Sequence, residues 1–287
     1  MRFQLIQPKY LDLNKLFEPF ENDLAKFSEE EYNALKPLII EQDIPSLQTS
    51  VKEAKLSYEK LAFFYLYRIR KFESDSTKSL NAIISLNPKV LEEARELNKN
   101  RKDGFLDDLK IYGIPILLKD NINTKGMLTT AGALAMVENK ETKDAFIVQR
   151  LKEKGALILG KVNLSDWAYF FCSGFPVGRN AVGGQFLNPY GRVIFETRVS
   201  SASNGTAVAA NYAVAAVGTE TVGSITSPSS QNFVVGLKPT VGLLSRTGVV
   251  SISSTLDTPR PMTKNVVDNL IFLNVMLGYD EKDSNNV

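Results

Sequence analysis

The sequence contains no histidine and only one cysteine among its 287 residues. The absence of histidine excludes Ser-His-Asp and Cys-His catalysis, and it excludes every zinc site that needs a histidine ligand. Cys172 alone can form neither an intrachain disulfide nor a thiolate metal site, which is consistent with a reducing compartment. A serine nucleophile in this chain would therefore need another base, and lysine is the usual substitute.

The chain also lacks a strong charge imbalance and long apolar runs. Its 34 basic and 32 acidic residues give a net charge of +2, so neither nucleic acid nor a membrane is expected as a partner. No run reaches the roughly 18 apolar residues that a membrane span requires. The first residues have no apolar signal-peptide core, and we expect a cytoplasmic protein. Hydrophobic residues make up 44% of the chain, which is enough for a large core in one or two domains.

The hydrophobic pattern predicts an N-terminal helical region over residues 1–73. Ser46 can cap a helix that runs to about Phe72, because Leu61, Tyr65 and Ile69 recur at four-residue spacing. From residue 74 to 287, apolar strands alternate with helices, which is typical of an α/β core. Strands are predicted over 80–86, 114–121, 156–160, 213–217, 233–237 and 249–251, and helices from Pro88 and over 144–154, 163–171, 203–211 and 266–277.

Two stretches carry candidate chemistry. The strand 114–121 ends abruptly in Lys119 and further polar residues, and sites in α/β proteins form at such strand ends. Residues 198–240 are rich in small and hydroxyl side chains, with Ser200 near the start and Ser224 directly after Gly223. Glycine lets backbone N–H groups approach a bound group closely, and clustered N–H groups are what an oxyanion hole requires.

Three motifs in order give the chain a resemblance to the amidase signature family. They are Gly-Ile-Pro-Ile-Leu-Leu-Lys-Asp-Asn at 113–121, Gly-Thr-Glu-Thr-Val-Gly-Ser-Ile at 218–225, and Gly-Leu-Lys-Pro-Thr at 236–240. The resemblance extends from about residue 46 to residue 278. It implies a mixed, largely parallel central sheet flanked by helices, incomplete at its C-terminal side because family members normally continue beyond residue 287.

The resemblance also implies a Ser-Ser-Lys triad. Ser224 takes the place of the nucleophile, Lys119 that of the base, and Ser200 that of the bridging serine, which in the family follows a cis peptide bond. The oxyanion hole would use the N–H groups that lead into Ser224, those of Thr221, Val222 and Gly223. Such a triad hydrolyses the carbon–nitrogen bond of a small or linear amide through an acyl-enzyme, and it needs no metal or cofactor.

This chemistry is consistent with what the residues themselves can do. A serine hydroxyl is a weak nucleophile until a base takes its proton, and Lys119 can do so only when neutral. Burial can lower the pKa of a lysine by several units, and a drop of about 3 units costs roughly 4 kcal/mol. The apolar strand that carries Lys119 is where such burial is expected.

Two departures from the family pattern leave alternatives open. Val199 stands where the family has a glycine before the bridging serine, and Arg260 interrupts a Pro-Gly-Pro. A catalytically impaired or truncated pseudoenzyme is one alternative, with little activity and self-association through a sheet edge exposed beside strands 213–217 and 233–237. A glutaminase-type subunit of an aminoacyl-tRNA amidotransferase is the other.

Overall fold

A computed structural model describes residues 11–101, 110–170, 174 and 176–287. Short 3-10 helices cover Glu18–Phe20 and Leu134–Met136, and a single turn covers Asp166–Tyr169. The α-helices are α1 Leu13–Phe17, α2 Glu21–Leu24, α3 Glu29–Ile39, α4 Ile44–Lys52, α5 Tyr58–Glu73, α6 Val90–Asn100, α7 Phe146–Glu153, α8 Ala202–Ala209, α9 Thr226–Gln231 and α10 Val266–Met276. The strands are β1 Ile83–Leu86, β2 Pro115–Lys119, β3 Leu157–Val162, β4 Arg179–Asn180, β5 Gly184–Gln185, β6 Ala215–Glu220, β7 Val235–Gly236 and β8 Thr258–Thr263.

Six of these strands form one mixed sheet in the order β1-β3-β2-β6-β8-β7. The central strands β3, β2 and β6 are parallel, and β1, β8 and β7 join them antiparallel. Every residue of β2, β3 and β6 is buried, as expected for parallel strands covered on both faces. The predicted mixed α/β class with flanking helices is confirmed.

The N-terminal helices pack on the same hydrophobic core as the sheet. Phe20 and Phe64 are buried in one apolar cluster with Leu117 of β2. Arg68 on α5 donates from Nε to the carbonyl of Ala210 at 2.9 Å, which ties this helix to the end of α8. The division of the chain at residue 73 stays a prediction.

The predicted helix from Ser46 to Phe72 is wrong, because the segment forms two helices. Asp43 caps α4 through the N–H of Ser46. After α4, Ala54 adopts a left-handed φ of 59°, a conformation that a helix cannot continue through. Ser57 then caps α5 by accepting the Lys60 N–H at 3.1 Å.

Strand β8 was not predicted, because its sequence contains two prolines. Pro259 and Pro261 pair with Thr219 and Val217 of β6, although proline is normally confined to strands with a free side. The carbonyl of Pro261 accepts from the Asn269 side chain at 3.0 Å, so its backbone polar groups face away from β6. Neighbouring β7 pairs only with the far end of β8, which leaves the prolines unopposed. The open edge predicted beside strands 213–217 and 233–237 is wrong for the first, because β8 covers β6. The second contains β7, which is the last strand in the sheet order.

Three smaller expectations also change. Residues 249–251 form no strand, and Val249 makes a single bridge to Ile122. The helix expected over 163–171 is replaced by a short turn at Asp166–Tyr169, in which Trp167 and Ala168 have left-handed φ values of 45° and 56°. Residue 171 lies outside the described residues, as does Cys172. None of the helices in the described ranges combines the length and apolar character that crossing a bilayer demands.

Candidate active site

Lys119 ends strand β2 in the middle of the sheet and is completely buried. Its Nζ donates to the hydroxyls of Ser200 at 2.8 Å, Ser201 at 2.9 Å and Thr219 at 2.9 Å. The Thr219 carbonyl lies slightly farther away, at 3.4 Å. These partners are uncharged, and no carboxylate of the described ranges forms an ion pair with Nζ, so the amino group has been removed from water without a countercharge in contact with it.

The pKa of Lys119 is lowered to about 7 because burial disfavours its charged form. The negative charges of Asp257 and Glu220 act in the opposite direction and raise it. Near neutral pH a substantial share of this lysine is therefore unprotonated. A neutral amine within hydrogen-bond distance of a hydroxyl can accept its proton, which is the geometry of a general base.

Ser200 and Ser201 form the turn that leads into α8. The hydroxyl of Ser201 donates to the Thr219 carbonyl at 2.7 Å, and its N–H donates to the Ser224 carbonyl at 3.2 Å. No peptide bond of the described residues is cis, so the bond between Val199 and Ser200 is trans, unlike the cis bond that the resemblance implied. A cis bond costs about 3–4 kcal/mol without proline, and Val199 has none of the glycine's conformational freedom.

Ser224 lies on the loop between β6 and α9, and only 6% of its surface is exposed. The hydrogen bond from Ser201 brings its backbone against the turn that carries Ser200. Within the described part of the chain, no hydrogen bond joins the Ser224 hydroxyl to Ser200 or Lys119. The structure thus places Lys119 and Ser200 in direct hydrogen-bond contact, whereas Ser224 is joined to the turn of Ser200 and Ser201 through its backbone carbonyl.

The loop that precedes Ser224 is fixed by the carboxylate of Glu220, which is only 3% exposed. Its oxygens accept the N–H groups of Gly223 at 2.9 Å, Ile225 at 2.7 Å and Thr226 at 2.9 Å. Three backbone N–H groups of this loop were predicted from the sequence as oxyanion-hole donors. Those of Thr221 and Val222 have no acceptor among the described residues, whereas that of Gly223 donates to Glu220.

Sequence reasoning identified Ser200 but missed the other two hydroxyl partners of Lys119, Ser201 and Thr219. Thr219 also accepts from Asn121 Nδ2 at 3.0 Å, so residues from two of the three motifs meet at its hydroxyl. Thr219 and Asn121 lie inside the family motifs, and this position is the signal that could have identified them as site residues. Ser201 had no comparable signal, because the stretch around it contains several serines.

A second buried lysine lies on the neighbouring strand. Lys161 of β3 donates to the Leu128 carbonyl and the Thr129 hydroxyl, both at 2.6 Å, and lies 3.8 Å from the carboxylate of Asp120. Burial lowers the pKa of Lys161 to about 8 although Asp120 raises it. No group of three acidic or cysteine side chains that could hold a metal ion occurs in the described ranges.

Comparisons with known proteins agree with one another. The model of the Amidase family matches residues 65–287. A probable amidase of Arabidopsis thaliana is 41% identical over 85% of this chain and 47% of its own length. An amidase family protein from Bacillus anthracis superposes with a TM-score of 0.90 at 39% identity, covering 98% of this chain and 55% of that one. The peptide amidase of Stenotrophomonas maltophilia superposes with a TM-score of 0.81 at 44% identity, covering 86% and 50%. The chain spans about half the length of the relatives it matches.

Proposed function

The chain belongs to the Amidase family, and we propose that it hydrolyses the carbon–nitrogen bond of a small or linear amide through Ser224, Ser200 and Lys119. The observation that carries this proposal is the 2.8 Å hydrogen bond between buried Lys119, whose pKa is lowered to about 7, and the Ser200 hydroxyl. The similarity to a peptide amidase favours an amide of a peptide as substrate.

In the proposed reaction, neutral Lys119 takes the proton of Ser200, and Ser200 takes the proton of Ser224. The Ser224 oxygen attacks the amide carbonyl and forms a tetrahedral oxyanion, which backbone N–H groups of the loop stabilise. Return of the proton through Ser200 to the leaving nitrogen breaks the carbon–nitrogen bond and releases the amine. Water then hydrolyses the ester at Ser224 by the same proton route, yielding the carboxylic acid and free enzyme.

Covalent labelling with a serine-reactive fluorophosphonate tests this proposal. We expect one equivalent of label on the peptide that contains Ser224, and none in Ser224→Ala. Ser229→Ala is the matched control, because Ser229 is also buried and lies five residues along the chain, yet has no proposed role. Labelling that persists in Ser224→Ala, or that disappears in Ser229→Ala, would contradict the assignment.

Turnover assays separate the substrate classes. Release of ammonia from a C-terminally amidated peptide is the expected activity, and it should follow the same dependence on Ser224 as the labelling. Release of ammonia from free glutamine alone would instead favour the amidotransferase-subunit alternative. Failure of both, together with failure of labelling, would favour the inactive alternative.

A further inference from the structure

Arg260 is a completely buried cation whose hydrogen-bonding capacity is unused. Its side chain is 0% exposed, and Nε and both terminal nitrogens lack any acceptor in the described part of the chain. A buried charge without a partner is strongly unfavourable, so a guanidinium group in this position calls for an anion that can reach it.

The sheet register identifies that anion as Glu220. Arg260 of β8 pairs with Gly218 of β6, and Glu220 pairs with Thr258. Arg260 and Glu220 are therefore diagonal neighbours on the same face of the sheet, a separation that long side chains can bridge. The charge of Glu220 acts on Arg260 and raises the pKa that burial lowers.

Glu220 itself is engaged elsewhere. It accepts three backbone N–H groups of the loop that carries Ser224. Two of them, from Ile225 and Thr226, lie beyond the proposed nucleophile and fix the start of α9. The third comes from Gly223, which is a proposed oxyanion donor and cannot serve a substrate oxygen while it serves the carboxylate.

We propose that Arg260 is a positioning residue for the oxyanion hole, which draws one carboxylate oxygen of Glu220 away from the Gly223 N–H when a substrate oxygen takes that donor. This inference rests on the proposed function. The other carboxylate oxygen of Glu220 still accepts the N–H groups of Ile225 and Thr226, so the loop stays in place. The freed oxygen gains a charged donor, which compensates for the neutral N–H that it gives up.

The acylation kinetics of Arg260→Met test the proposal, because methionine has similar length and no charge. We expect the limiting rate of fluorophosphonate acylation to fall at least tenfold, with the half-saturating concentration changed less than twofold. Arg260→Lys should recover most of the rate. Met262→Leu is the control, since Met262 is buried on the same strand and the same face.

A second background separates this role from mere packing. In Glu220→Gln no carboxylate remains to be moved, and the amide nitrogen cannot accept the Gly223 N–H. In the Glu220→Gln background, adding Arg260→Met should change the acylation rate less than twofold. An equal loss in both backgrounds, or an unchanged rate in Arg260→Met with wild-type labelling intact, would overturn the inference and leave the proposed function standing.

Thermal unfolding keeps the inference testable if the wild type is not labelled at all, an outcome that would count against the proposed function. The melting-temperature shifts of Glu220→Gln and Arg260→Met should then be clearly less than additive in the double variant, as for any interacting charge pair. Additive shifts would show that the two residues do not interact and would overturn the inference.

Discussion

Replacing Lys119 by methionine should stabilise the protein at pH 7 and destabilise it at pH 10. Methionine keeps the apolar stem and removes the charge. In wild type the pKa falls from an ordinary 10.5 to about 7 on folding, so the unfolded chain binds more protons than the folded protein between these values. Stability must therefore rise with pH across this window. At pH 7, keeping this lysine buried costs the folded state about 4 kcal/mol: the shift between the two pKa values amounts to about 5 kcal/mol at roughly 1.36 kcal/mol per unit, less about 0.4 kcal/mol because the buried lysine is half neutral at this pH.

The variant also loses favourable contacts. Lys119 donates to three hydroxyl groups, and each such hydrogen bond contributes about 1 kcal/mol. At pH 7 the variant should thus be more stable than wild type by about 1 kcal/mol. At pH 10 the cost of the buried lysine falls to about 1 kcal/mol, and the variant should be less stable by about 2 kcal/mol. The change of about 3 kcal/mol between the two pH values does not depend on the hydrogen-bond figure.

Urea unfolding of both proteins at pH 7 and pH 10 measures this change. Lys161→Met is the matched control, because Lys161 is equally buried on the next strand but lies beside Asp120. Its removal leaves a buried carboxylate without its cation and should cost about 3–5 kcal/mol at pH 7. If Lys119→Met changes the free energy of unfolding equally at both pH values, the lysine does not have a lowered pKa and cannot be the proposed base.

Two further substitutions have defined outcomes. Asp257→Asn removes a negative charge that raises the pKa of Lys119. The pH at which the fluorophosphonate acylation rate rises should therefore move below pH 7. A profile that stays in place or moves to higher pH would contradict this electrostatic coupling. Gly113→Ala should lower the free energy of unfolding by at least about 2 kcal/mol in urea titrations, from left-handed strain and overpacking. Gly113 has a φ of 69° and an added Cβ would lie 2.1 Å from the ring of Tyr58; unchanged stability would show that this contact can relax.

The apolar strands and the lysine at a strand end could be predicted from the sequence, because both follow from local patterns. Four consecutive apolar or small residues precede Lys119 in Pro115–Lys119, and a buried strand is the simplest interpretation of such a run. The pairing of Lys119 with Ser200 was implied by the family motifs. It could not be derived from spacing, since the two residues are 81 positions apart.

What the sequence could not predict depends on long-range geometry. The two prolines of β8 oppose a strand assignment locally, and only the shortness of β7 makes them acceptable. The carboxylate of Glu220 has an obvious place in a motif, yet its three N–H donors depend on how the loop folds back over it. The bond before Ser200 is trans although the resemblance implied a cis bond, and here the sequence did carry a signal, since Val199 stands in place of a glycine.

The two buried lysines show how partners, rather than burial, can decide a role. Lys119 of β2 pairs in register with Val162, whereas Lys161 of β3 pairs with Leu118, so the two side chains emerge on opposite faces of the sheet. Lys161 lies beside a carboxylate, which favours its charged form. Among the described residues, Lys119 donates to three hydroxyls and a carbonyl, and its pKa is the lower of the two. Under the proposed function, the face with hydroxyl partners supplies the base. The face with the carboxylate holds the turn after Lys119 in place, because Asp120 also binds the N–H of Thr130 at 3.1 Å.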